Sequence, residues 1–163
     1  MQIHDKEGNE LPNHEVGEVV IKGHNVMKDY LNRPEESKIA IRNGWFYTGD
    51  LGKRDDDNYF YIVDRSKDMI IKDGFNVYPR EIEECIINHK SVSLVAVIGV
   101  PDEKHGEEIK AVIQLKEGEI ISKSQIGSYC RKHLANYKLP KIIEFIDTLP
   151  TSATGKILKR ELK

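Results

Sequence analysis

The chain has 163 residues, 39% hydrophobic and 32% charged, with a formal charge of −2 and a pI near 6.3. That is enough for one ordinary domain or two small ones with a modest core. The composition argues against a bilayer-spanning helix, because the longest apolar runs, such as "LVAVIGV", are far too short, and against a nucleic-acid binder, because there is no basic stripe. The polar, acidic start "MQIHDKEGNE" predicts no secretory leader. The front third then reads as short strands and turns. "GEVVIKG" is a buried strand bounded by Gly17 and Gly23. "NRPEESKIA" is a turn into a short helix, with Pro34 at its first position and Glu35 and Glu36 favouring that end. "GWFYTGDLGKRDDDNYFYIVDR" gives two aromatic strands around a polar "RDDDN" tip.

A dense charged break, Asp64 to Asp68, separates this front from the rest. "MIIKDGFNV" beyond it predicts a tight hairpin with Asp73-Gly74 as its turn. Pro79 opens a helix on which Ile82, Cys85 and Ile86 recur at helical spacing. "SVSLVAVIGV" and "EIKAVIQL" are strands on either side of a polar "PDEKHGE" loop. Ser122 and Gln125 form a capping box ahead of a second helix, whose apolar face runs through Ile126, Tyr129, Cys130, His133, Leu134 and Tyr137. "KIIEFI" alternates as a last strand. A turn and a short basic helix end the chain. The back hundred residues therefore predict a compact α+β domain with helices packed on a small sheet.

Charge is uneven: residues 1–64 carry a net −5 and residues 65–163 a net +3. An acidic front and a basic back can embrace an anion at their seam, although ordinary surface variation gives the same totals. Cys85 and Cys130 both fall on apolar helical faces, which predicts reduced core residues of a cytoplasmic protein. The six histidines make no metal pattern.

The terminal "LPTSATGKILKRELK" invites comparison with a phosphate-cradling loop. Pro150 stands where that loop needs its first glycine, and Ile157 where it needs the Mg²⁺-binding hydroxyl. Local sequence then leaves a Thr-Gly turn before a short basic helix, with Lys156 solvated.

Four stretches in order change that reading: "GEVVIKG", "GWFYTGDLG", "DRSKDMIIKDGFNVYPREIEE" and "LPTSATGKILKRELK". Together they resemble the C-terminal part of the adenylate-forming (AMP-binding) superfamily, which contains acyl-CoA synthetases, amino-acid adenylation domains and luciferases. The third stretch looks most like fatty-acyl-CoA ligases. The resemblance implies that residues 1–63 are the β-strand tail of a large N-terminal AMP-binding domain and that residues 64–163 are the complete mobile C-terminal domain. It implies a fragment, natural or truncated, whose large domain is missing and which is inactive alone.

The family reaction joins a carboxylic acid, here a fatty acid by resemblance, to AMP from ATP, and coenzyme A thiol then displaces AMP. Mg²⁺ is expected with ATP, with ligands outside this chain. By resemblance Lys156 is the catalytic lysine that places a cation between carboxylate and α-phosphate, a task for a point charge on a flexible stem. Asp50 matches the aspartate that binds both ribose hydroxyls of ATP or AMP, since a carboxylate offers a vicinal diol two acceptors. Arg65 matches an arginine that reaches the same ribose. Lys67 falls at the hinge about which the small domain swings. Gly74 lines the pantetheine channel of coenzyme A, where a missing side chain admits a narrow thiol arm. Each residue also has a plainer reading: Asp50 in a turn after Gly49, Arg65 in a salt bridge at the break, Lys67 solvated, Gly74 a turn glycine. Relatives of the amino-acid and acetyl types often carry a basic residue soon after this glycine, where this chain has Phe75 and Asn76.

"PTSATGK" further resembles the pattern around lysines that lysine acetyltransferases modify, which would remove the charge of Lys156. Orphaned strand edges in residues 1–63 predict a dimer or strand exchange in the fragment. The alternatives are a stand-alone nucleotide- or CoA-binding regulatory module, and a piece of an aryl- or amino-acid-adenylating ligase.

Overall fold

The computed structural model describes residues 1–162. They form two compact units, Met1–Lys67 and a second that begins at Asp68.

The first unit is a five-stranded sheet: β1 (Gln2–His4), β2 (Gly17–Ile21), β3 (Ile41–Arg42), β4 (Trp45–Arg54) and β5 (Phe60–Arg65). Strand β4 is its spine. One edge pairs antiparallel with β2, and β2 in turn with β1. The other edge pairs first with β3 and then with β5. A short helix, α1 (Pro34–Ala40), precedes β3, with Pro34 in its first turn. The core is small: Ile3, Val19, Val20 and Tyr47 are buried. Strand β1 was not legible in the polar opening residues, yet it buries Ile3 and His4. The His4 ring is satisfied there by the Tyr47 hydroxyl at 3.2 Å and Gln2 Oε1 at 2.8 Å. The charged break contributes to this sheet as well, since Asp64 and Arg65 lie in β5 opposite Leu51 and Asp50. The compact unit thus includes the break as far as Lys67.

The second unit centres on β9 (Gly106–Leu115). β8 (Val92–Asp102) runs antiparallel along one edge. The other edge takes β10 (Ile142–Phe145) in parallel and then touches β6 (Ile70–Lys72), which forms a hairpin with β7 (Phe75–Val77). Two-residue periodicity sorts the side chains. Val95, Val97, Ile109, Ala111 and Ile113 face α2 (Pro79–Ile87) and α3 (Lys123–His133), where Ile82, Ile86, Ile126 and Cys130 complete the main core. Ala96 and Val112 point the other way and meet Leu149, Ile146, Ile157 and Leu162 from the terminal segment.

The capping box at Ser122 forms as expected, with the Gln125 amide donating to Ser122 Oγ and the Ser122 amide to Gln125 Oε1. The polar "PDEKHGE" loop is shorter than predicted. Pro101, Asp102, Gly106 and Glu107 all pair in the ladder, so only Glu103–His105 turn the chain. The charged composition of that hairpin end reflects exposure, not irregular backbone. No helix among the described residues is long and apolar enough to cross a membrane.

Candidate functional site

Asp50 sits in a bulge rather than in a turn between strands. Opposite the single residue Val19 of β2, strand β4 places Thr48, Gly49 and Asp50. Gly49 takes φ +74°, which an L side chain adopts only with strain. Three polar contacts set the bulge. Thr48 Oγ1 donates to the Val19 carbonyl at 2.8 Å, the Gly49 amide donates to Glu18 Oε1 at 2.9 Å, and the Asp50 amide donates to Thr48 Oγ1 at 3.1 Å. Thr48 and Glu18 are the residues sequence reading missed; only "TG" hinted at them.

Arg65 lies directly across the ladder from Asp50, and its Nε meets Asp50 Oδ1 at 3.0 Å. Two residues singled out separately are therefore one cross-strand ion pair. The Asp50 side chain remains 33% exposed, so its carboxylate keeps lone pairs open to solvent. A half-exposed pair of this kind adds little stability, at most about 1 kcal/mol. It does hold an acceptor and a fork of donors side by side, an arrangement fitted to a diol. Lys67 follows in a 3₁₀ turn, Ser66–Asp68, with its side chain exposed.

Asp73 and Gly74 connect β6 to β7 with φ +53° and +79°, the two positive angles of a type I′ hairpin turn. A Cβ on Gly74 would meet nothing within 4 Å, so the glycine answers to backbone conformation and not to crowding inside this chain. Beside the hairpin the Phe75 ring packs on Tyr137 at 5.2 Å.

Lys156 belongs to a small closed loop where the sequence predicted a plain turn. Thr151 and Ile157 pair as an antiparallel bridge. The Ser152 amide donates to the Lys156 carbonyl at 2.8 Å, and the Gly155 amide to the Ser152 carbonyl at 2.9 Å. Gly155 has φ +80° and open space around it. The base of the loop is fixed by the buried Leu149, whose amide donates to Gln114 Oε1 at 2.9 Å. Lys159 adds an ion pair with Glu83 at 2.8 Å. Ile157, where a phosphate-cradling loop needs a hydroxyl, packs into the lesser core. Lys156 itself is exposed, and among the described residues no carboxylate pairs with its ammonium. A short 3₁₀ turn, Lys159–Glu161, follows in place of the basic helix.

The two thiols meet between α2 and α3. Burial pushes Cys130 up to about 12 and raises Cys85 as well, so neither has the thiolate character of a nucleophile. Both are free cysteines, and Cys85 is only half-buried. A shallow cleft of about 300 Å³ lies over Cys85, lined also by Glu81, Glu84, Tyr129 and His133.

Comparison with known proteins bears on these features. The AMP-binding enzyme C-terminal domain family matches residues 81–156. The chain is 53% identical over 150 residues to the long-chain-fatty-acid–CoA ligase FadD13 of Mycobacterium tuberculosis, covering 92% of this chain and 30% of that protein. It is 45% identical over 159 residues to the 2-succinylbenzoate–CoA ligase of a Geobacillus species, covering 98% of this chain and 32% of that one. Among solved structures, ATP-bound MatB from Rhodopseudomonas palustris superposes with a TM-score of 0.93 at 41% identity, covering 99% of this chain and 32% of that one. The chain thus spans about a third of the length of the proteins it matches. It carries the C-terminal domain of AMP-binding enzymes and belongs to the adenylate-forming superfamily.

Proposed function

We propose that this chain is the C-terminal region of an ATP-dependent acid–CoA ligase, which forms an acyl-AMP from a carboxylic acid and ATP with release of pyrophosphate and passes the acyl group to coenzyme A with release of AMP. The observation that carries the reading is Lys156, an exposed ammonium without a carboxylate partner among the described residues, on a loop closed at its base and opened by Gly155. A cation held so can enter the space between two anions that must react, relieve their repulsion and align the attack. The proton inventory is simple: the lysine stays charged, and no proton moves through it.

Asp50 and Arg65 take the ribose hydroxyls of ATP and then of AMP, with the carboxylate accepting from the diol and the guanidinium holding the carboxylate in place. Lys67 serves as the hinge. The turn at Gly74 serves the second step, where coenzyme A thiol attacks the acyl carbon and AMP leaves. Mg²⁺ accompanies ATP, with ligands from outside this chain. The remaining two thirds of such a ligase would supply the acyl pocket and the grip on the ATP phosphates. A fatty acid is the favoured substrate class, because the 53% identical relative is named for one. The 2-succinylbenzoate ligase keeps an aromatic acid as the second reading. Acetylation of Lys156 would switch off the first step by removing its charge.

The test uses the full-length gene product. Lys156→Ala is expected to slow acyl-AMP formation by about 10²–10³, the scale for losing one preorganised charge contact. Thioester formation from supplied acyl-AMP should largely persist. Equal loss of both steps would reject the assignment. Assaying the same protein against a panel of fatty, aryl and amino acids decides the substrate class.

A further inference from the structure

We propose that the segment His105–Glu108 is a latch that sets the position of the Asp73–Gly74 turn, with Glu107 and Glu108 as positioning residues for the thioester-forming step. The proposal rests on the reading above that this turn serves coenzyme A. Three consecutive hairpin residues are each held by this one segment, from more than thirty residues away. The Ile71 amide, which faces away from β7, donates to Glu107 Oε2 at 2.7 Å. Lys72 pairs backbone to backbone with Gly106, and its ammonium meets Glu108 Oε1 at 2.5 Å. The Asp73 amide donates to the His105 carbonyl at 3.0 Å, and Asp73 Oδ1 meets His105 Nδ1 at 2.6 Å.

These contacts are more than the hairpin needs to stay folded against its core. Ile70 and Val77 already fix its inner face in the main cluster. Three-residue strands are too short to set a turn rigidly by their own ladder. The polar contacts fall instead on residues 71–73, ahead of the exposed glycine. Glu108 is only 2% exposed, and a carboxylate is buried that deeply only when paired and hydrogen-bonded. It has the Lys72 ammonium, its neighbour's Ile109 amide at 2.8 Å and the Lys141 ammonium at 3.8 Å. Glu107 reaches its place across Gly99, where a Cβ would approach Glu107 Oε1 to 2.7 Å. So the latch also demands the small residue that β8 supplies.

The experiment has two arms and centres on Glu107, which is less buried than Glu108 and safer to alter. In the 163-residue chain, Glu107→Ala is expected to speed amide hydrogen exchange at Ile71 and Asp73 by about tenfold, through local opening, while Ile82 in the core is unchanged. Glu107→Gln, which keeps an acceptor oxygen, should restore the slow rate. Unchanged exchange in Glu107→Ala overturns the latch. In the full-length gene product, Glu107→Ala should slow thioester formation from acyl-AMP about tenfold to a hundredfold, as a misplaced reacting group does. Acyl-AMP formation should not change, and Glu107→Gln should recover most of the loss. Faster exchange with both steps intact overturns the positioning role, and Gly74→Ala then separates the causes. If that variant slows the thioester step, the latch alone has failed. If it too leaves the step intact, the assignment of the turn to coenzyme A has failed with it.

Discussion

The Asp73–Gly74 turn and the loop bearing Lys156 are both exposed, and both are opened by a glycine at φ near +80°. They are anchored in opposite ways. The turn is held close to its tip, by His105, Glu107 and Glu108. The Lys156 loop is held at its base, by Leu149, the Thr151–Ile157 bridge and the Lys159–Glu83 pair, and among the described residues the polar contacts of its tip stay within the loop. The difference fits the two proposed tasks. A channel wall must keep its shape against a thin ligand, which favours contacts near the tip. A point charge that enters a pocket needs a firm base and a free end.

The comparison can be broken or sharpened at several positions. The largest effect is expected at Leu149, the apolar foot of the Lys156 loop. Leu149→Ala should destabilise the second unit by about 2–5 kcal/mol in urea unfolding, the range for a buried truncation that leaves a cavity. A change below 1 kcal/mol would mean that the foot bears no weight. Gly74→Ala comes next. Space is available for its Cβ, so only backbone strain remains, about 1–2 kcal/mol for an L residue in the left-handed region. Gly74→Asn should recover part of that loss, because asparagine tolerates the conformation; equal losses would point to a different cause. Lys159→Met removes the charge but keeps the stem. The pair is only about a fifth exposed on each side, yet Glu83 keeps the Val97 amide, so a loss of about 1 kcal/mol is expected by thermal melting.

The smallest effect concerns pH. Glu144 is held below the usual carboxylate range by the Lys110 ammonium, and Asp102 by the Lys104 and His105 amides. Groups more acidic folded than unfolded contribute stability that is complete above their unfolded values and fades as pH falls through the folded ones. The urea midpoint should therefore hold between pH 7 and pH 5 and drop by pH 3. Lys110→Met should shrink that drop without removing it, because Asp102 remains.

Much of the second unit was legible in the sequence because its signals are local. The apolar run "LVAVIGV" declared a strand, although a run apolar throughout does not show that Val95 and Val97 face one cluster and Ala96 the other. Ser122 and Gln125 declared their own cap, and Asp73-Gly74 declared its turn type. The site in the first unit was legible only as residue types. That Asp50 and Arg65 form a pair depends on the register between β4 and β5 and on a bulge facing Val19, neither of which leaves a short-range mark. The latch at residues 105–108 hid for the same reason: its charges read as a loop because their partners lie in a different part of the chain. His4 was lost in a polar terminus because one apolar neighbour, Ile3, is too little pattern to reveal a strand.

Strand β9 has one further consequence. It carries the hairpin through Gly106 and, through Gln114, the segment that ends at Lys156. Grafting experiments that swap pieces between related ligases must therefore move residues 68–162 as a single cassette. A junction cut into the stretch between β9 and α3 would keep the donor's turn on its own β9 and leave a stranger's lysine loop to find its anchor at the donor's Gln114.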